Sequence, residues 1–122
     1  MDFGSTNMAI SPDCLFCKII EGEIPAEIIY RNDNVVAFRD ISPQAPTHVV
    51  IVPTVHSENA AALAQMSPVI TAALLVAAGE IAKAEELDGY RTVFNTGASV
   101  GQSVFHVHLH LLGGRFFAWP PG

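Results

Sequence analysis

Apolar positions change period along this chain, and each change marks an element. Across residues 13–21, Leu15, Phe16, Ile19 and Ile20 fall on one helical stripe, with Asp13 placed to cap its start and Gly22 to end it. Residues 28–31 and 35–40 read as strands joined by a turn at Asn32-Asp33-Asn34. After a loop with two prolines at residues 42–46, the β-branched run 48–53 is short and apolar enough for a central strand. Ser67-Pro68 matches an N-cap followed by proline at the first helical position. From there Val69, Leu74, Val76, Ala77, Ile81 and Ala84 continue a helix that Leu87-Asp88-Gly89 stops. Residues 90–95 predict another strand, 96–103 a Gly/Ser loop and 104–112 the last strand. The pattern predicts an α+β fold: about five strands, mostly antiparallel, with one long helix packed on the sheet and a short N-terminal helix.

The last predicted strand carries an unusual load. In SVFHVHLHLLGGR (residues 103–115), His106, His108 and His110, three of the chain's five histidines, alternate with Val107 and Leu109. Every second side chain of a strand shares a face, so the imidazoles line one side while Val107, Leu109 and Leu111 bury the other. One such histidine is usually a hydrogen-bonded core residue. Three on one face each need a partner, because a buried polar group without one costs ~1–3 kcal/mol, and the trio therefore reads as functional. Four residues of strand span roughly 13 Å, whereas a metal–imidazole bond measures about 2 Å. One ion cannot take all three from a straight strand. The loop from Asn95 to Ser103 holds Gly97 and Gly101, which let backbone N–H groups approach a ligand, and Gln102 and Ser103, which offer side-chain donors. Loops of this kind cradle phosphate oxygens. Joined to the imidazoles, the loop suggests phosphorus chemistry with a neutral histidine as nucleophile.

Composition narrows the partners. A chain of 122 residues, 50% hydrophobic and 15% charged, is one domain able to bury a core. Its net charge is −6 and its six Lys and Arg are scattered, so no basic face exists for a nucleic-acid polymer. A small anion remains possible. Residues 1–12 read as a disordered tail or an added leader ahead of a single domain over 13–122, and they lack the basic-then-apolar order of a signal peptide. The most apolar window, 60–82, is mostly alanine and is interrupted by Gln65, Ser67, Pro68 and Glu80, too weak to span a bilayer. A cytoplasmic protein with reduced thiols and no membrane contact is expected.

The motifs together resemble a known family. HVHLHLL is similar to the His-x-His-x-His-x-x signature of the histidine triad (HIT) family, with x apolar. FCKIIEGEIPAEIIY, AFRDISPQAPTHVVIVP, YRTVFNTG, GQSVFHVHLHLLGGR and the terminal WPPG extend the likeness from about Cys14 to Gly122. They resemble its nucleotide-binding, purine nucleoside phosphoramidase branch. The resemblance implies a HIT-like fold in a homodimer whose protomers each carry a five-stranded sheet. It also implies hydrolysis of purine nucleoside 5′-phosphoramidates, with acyl-adenylates as a second substrate class, through a covalent nucleotidyl-histidine. Carried over by position, His108 is the nucleophile, His110 contacts the α-phosphate, Ser103 meets the phosphate or the leaving group, and His48 supports them. Asn95, Gly101 and Gln102 belong to the phosphate and ribose pocket of an AMP-type ligand. Asp40 accepts from the ribose hydroxyls, and Phe16, Ile19, Phe38 and Ile41 surround the base. The residue types agree, since a carboxylate accepts from two hydroxyls at once, although Phe16 and Phe38 read equally well as core. Val100 stands where close relatives commonly have glycine, which leaves the leaving group open.

Cys14-x-x-Cys17 carries three readings: half of a structural zinc site, two packed thiols, or a redox pair. The redox reading wants a thioredoxin-like unit, which the pattern lacks. Zinc needs two further ligands. The resemblance, here to some bacterial members and to the related uridylyltransferases, implies His56 and His106, with His48 the substitute for His56, and no catalytic metal. Two other functions compete: a zinc lyase or hydratase using His106-x-His108 as a two-ligand motif, and a nucleotide-binding partner protein whose catalysis is incidental.

Overall fold

The computed structural model describes residues 13–122, so the expectation for residues 1–12 lies outside the described residues. Five strands, β1 (Ile28–Arg31), β2 (Val35–Arg39), β3 (Thr47–Pro53), β4 (Tyr90–Phe94) and β5 (Leu109–Gly113), form one sheet in the order β1-β2-β3-β5-β4. Every neighbouring pair is antiparallel. The central β3 is buried along its whole length, as a β-branched run between two covered faces must be.

Alternation along the strands divides the core in two. Val35, Ala37, Val49, Ile51, Leu109 and Leu111 pack with Leu74, Ala77, Ala78 and Ile81 of the long helix α3 (Pro68–Ala84). The intervening Val36, Phe38, Val50 and Val52 pack with Cys14, Phe16, Cys17 and Ile19 of the short helix α1 (Leu15–Ile20) and its cap. The expected α+β architecture is therefore present, with a helix on each face. Val50 stands opposite Phe38 on one side and His110 on the other, so this row crosses the sheet on the α1 face.

Four elements differ from the sequence pattern. The cap of α1 is Cys14, not Asp13, because the Cys14 sulfur accepts the Cys17 N–H at 3.3 Å. A helix α2 (Ala60–Met66), capped by Asn59 and burying Leu63, precedes α3; a single large buried residue left no periodic stripe to read. The long helix ends at Ala84 rather than at residues 87–89. There Leu87 N–H donates to Ala82 O and Glu86 N–H to Lys83 O, with Glu86 in the left-handed conformation at φ 56°. The last strand begins at Leu109 rather than at residue 104. Its partner β3 ends in Pro53, which has no N–H, and Val107 N–H donates instead to Ser57 O at 2.7 Å. His106 and His108 thus precede the ladder. Their alternation survives: Val107 and Leu109 are buried on the α3 side, while the His108 and His110 rings lie 5.0 Å apart on the other.

Candidate functional site

Two groups of potential ligands lie on the α1 face. The first joins Cys14 and Cys17, held at the start of α1, to His56, from the loop after β3, and His106. Cys14 Sγ and Cys17 Sγ lie 3.3 and 3.4 Å from His106 Nδ1, and His56 Nδ1 lies 3.5 Å from Cys17 Sγ and 3.2 Å from His106 Nδ1. A tetrahedral zinc site has N–N edges of about 3.3 Å and N–S edges of about 3.5 Å, given its usual bond lengths. The distances fit. So does the proton count: His106 Nε2–H donates to Pro53 O at 3.0 Å, which leaves Nδ1 a lone pair turned toward the sulfurs. Burial, first of all, pushes the fully buried His106 down to about 4, so its ring is neutral. His48, the alternative fourth ligand, lies in the other group.

That second group is Asp40, His48 and His110. His48 on β3 and His110 on β5 are diagonal neighbours, two residues out of direct register and so on one face. Gln44 N–H donates to His48 Nδ1 at 2.9 Å, so the proton of the neutral ring sits on Nε2. His48 Nε2–H then donates to His110 Nδ1 at 2.9 Å, with Asp40 Oδ2 3.5 Å away. His110 consequently carries its own proton on Nε2. A metal at His48 Nε2 would need a lone pair there, and a neutral imidazole has one, already taken by Gln44. His48 and His110 are built as a hydrogen-bond relay that starts at Gln44 N–H, with the Asp40 carboxylate beside it. Burial is the main force lowering His48, and burial followed by the neighbouring His108 and His48 lowers His110 to about 4.

His108 has the opposite tautomer to His110. Its Nδ1–H donates to His106 O at 2.9 Å, so Nε2 keeps a lone pair. Burial again lowers its pKa, against the pull of the His106 carbonyl and Asp40. Both rings line one cavity of about 380 Å³.

Of the sequence candidates, Phe16, Ile19, Phe38, Asp40, Ile41, Asn95, Gly101 and Ser103 also line that cavity. Phe16 packs edge-on against Phe38 at 5.6 Å and against His108 at 4.9 Å. Ile41 is 98% exposed at the rim. The Asp40 carboxylate is fixed by Ser42 N–H at 2.8 Å. Gly101 takes φ 100°, a left-handed conformation that favours glycine.

Two candidates sit elsewhere. His48 lies behind His110 and acts on the cavity through it. Gln102 is turned into its own loop: its amide N–H groups donate to Glu58 O and Val104 O, and its Oε1 accepts from Gly97 N–H. It braces the loop from within and offers no donor to a ligand. The pairing of His106 with His108 around one metal fails too, since His108 is not among the residues converging on the first group. Leu15, Ile24, Pro25, Ala26, Arg39, Val50 and Val104 complete the cavity wall and were missed. The apolar triplet Ile24-Pro25-Ala26 in a loop was the available signal.

Comparisons with known proteins place the chain in a family. The HIT domain model matches residues 21–117. A purine nucleoside phosphoramidase of Escherichia coli is 44% identical over 116 residues, covering 87% of this chain and 91% of the relative. A 14 kDa zinc-binding protein of Zea mays is 50% identical over 112 residues, covering 88% and 87%. The crystal structure of a HIT family hydrolase from Legionella pneumophila superposes with a TM-score of 0.86 at 49% identity, covering 90% of this chain and all of that one. The chain belongs to the HIT domain family.

Proposed function

We propose that the protein hydrolyses purine nucleoside 5′-phosphoramidates, and acyl-adenylates more broadly, through a nucleotidyl-His108 intermediate. The observation that carries this is the opposed tautomers of two neighbouring rings on one cavity wall: a lone pair on His108 Nε2 and a proton on His110 Nε2. One attacks phosphorus; the other donates to a phosphoryl oxygen. The base lies among Phe16, Ile19, Phe38 and Ile41, the ribose hydroxyls reach Asp40, and Asn95 and Gly101 border the ribose and phosphate. In the first step the His108–phosphorus bond forms and the phosphorus–nitrogen bond breaks. The departing nitrogen takes a proton through the Ser103 hydroxyl, which solvent refills. Water then attacks phosphorus, restores the His108 lone pair and releases the nucleoside monophosphate. The His106 carbonyl holds the His108 ring in its reactive tautomer throughout.

The donor set Cys14, Cys17, His56 and His106 suits a structural zinc, and the maize relative named for zinc binding supports it. Reduced thiols there fit a cytoplasmic setting. Among the described residues no helix is long and apolar enough to cross a membrane. The outer edge of β4, with Tyr90 exposed, and the exposed Phe116 and Trp119 of the C-terminal tail support a homodimer. Light scattering should give twice the 13.0 kDa chain mass; a monomer at micromolar concentration rejects the dimer. Mass spectrometry of the protein mixed with adenosine phosphoramidate tests the main reading. An adenylyl group on His108 is expected, and turnover with no histidine adduct overturns it. A protein that binds AMP but turns over nothing is the binding partner instead.

A further inference from the structure

Helix α1 contributes to both groups of residues. It has six residues, too few for a helix to hold its own shape, so its placement depends on what its side chains grip. Cys14 at its cap and the fully buried Cys17 face His106. Phe16 and Ile19, one residue before and two after Cys17, line the nucleotide cavity. Phe16 is the hinge of the contact: its ring touches His108 at 4.9 Å and lies 6.2 Å from His106. A shift of α1 that opened the sulfur–imidazole cluster would carry Phe16 and Ile19 away from Phe38. Most of the remaining cavity wall comes from the sheet and the loop before His106, which do not ride on α1.

We propose that Cys14 and Cys17 are positioning residues for the purine: a metal held by them with His56 and His106 fixes Phe16 and Ile19 and so tightens binding of the base, and base binding tightens the metal in return. This rests on the zinc and nucleotide readings above. Its reciprocity is fixed by linkage, because whatever factor the metal adds to nucleotide affinity the nucleotide adds to metal affinity. Couplings of this kind are typically ~5–150-fold.

The test uses the full chain, zinc-loaded and chelator-stripped, with AMP and ribose 5-phosphate as probes. AMP should bind the loaded protein at least ~5-fold more tightly, while ribose 5-phosphate, which lacks the base, binds both forms alike. The metal should act on KM and leave kcat for adenosine phosphoramidate within about twofold, a split that general loosening of the fold would not produce. Reloading the stripped protein with zinc should restore AMP affinity. If the stripped protein unfolds, the reverse measurement stands: at equilibrium with a competing chromogenic chelator, AMP should raise the protein's zinc affinity and so lower zinc transfer by the same factor, ribose 5-phosphate should not, and Phe16→Ala should remove the effect. Equal AMP affinity in both forms, or equal zinc transfer with and without AMP, overturns the coupling and leaves both sites standing. Failure to bind zinc or AMP at all overturns the earlier readings together with this one.

Discussion

The group of Cys14, Cys17, His56 and His106 and the group of Asp40, His48 and His110 look alike as sets of ligand atoms, each lying within 4.8 Å of one another. They differ in where the ring protons go. In the first, the His106 proton is drawn outward to the Pro53 carbonyl, and a lone pair faces the sulfurs. In the second, an outer N–H, that of Gln44, pushes the His48 proton inward toward His110. A carbonyl behind a histidine makes a ligand or a nucleophile of it; an amide behind a histidine makes it a donor. His108, backed by the His106 carbonyl, belongs with the first kind although it sits beside the second.

The largest test of that division is His108→Ala. Loss of the nucleophile should lower phosphoramidate turnover by several orders of magnitude, to well below ~1% of the parent, with no histidine adduct and AMP affinity nearly unchanged. A variant that keeps most turnover and still forms the adduct moves the reaction to another ring.

Metal content sharpens the comparison next. Protein purified without chelator or added zinc should contain one zinc per chain, lost in Cys17→Ala. Free zinc at a thousandfold its Kd should raise stability by about 4 kcal/mol over the stripped form, read by calorimetry. Two zincs per chain would break the distinction between the groups, and none would remove the first group's role.

His110→Ala asks less of the site. The donor is lost while the nucleophile stays, so single-turnover kinetics should show adduct formation slowed roughly 100-fold, not abolished. Wild-type rates would show that the relay ends on nothing.

The sequence displayed the side chains of both groups and concealed what divides them. His-x-His-x-His and Cys-x-x-Cys are visible as letters, and alternation with Val107 and Leu109 correctly assigned the imidazoles to the face away from α3. The strand itself was overextended, because its end is set by a missing N–H at Pro53 of a different strand. Each tautomer depends on a backbone group distant in sequence, such as Pro53 O for His106 and Gln44 N–H for His48, and any residue could supply those. The partners of Gln102 were hidden for the same reason: its letter offers an amide, and the fold turns it to the Glu58 and Val104 carbonyls.

The smallest expected effect is on stability against pH, and it isolates the relay. Burial lowers His48 below 6.5 and brings His110 to about 4. An unfolded histidine titrates near 6.5, so as pH falls from there the unfolded chain takes up protons that the folded chain refuses. Folding then weakens by about 1.4 kcal/mol per pH unit for each such proton. For His110 the loss runs from 6.5 down to about 4, below which both states are protonated and the slope vanishes. Above 6.5 these rings add no slope. Glu85, held down chiefly by its hydrogen bond from Arg39, adds its own loss only as pH falls through its ordinary 4.5 and below. The span from 6.5 to 4.5 lies above that carboxylate, and zinc-bound thiolates contribute equally to parent and variant, so the difference between the two curves reports His110. Urea unfolding of zinc-saturated protein at steps across that span should show stability falling as pH falls. His110→Ala should show a shallower fall, smaller by up to about 1.4 kcal/mol per unit. Parallel curves for parent and variant would mean that His110 takes its proton as readily folded as unfolded, and the relay would lose its physical basis.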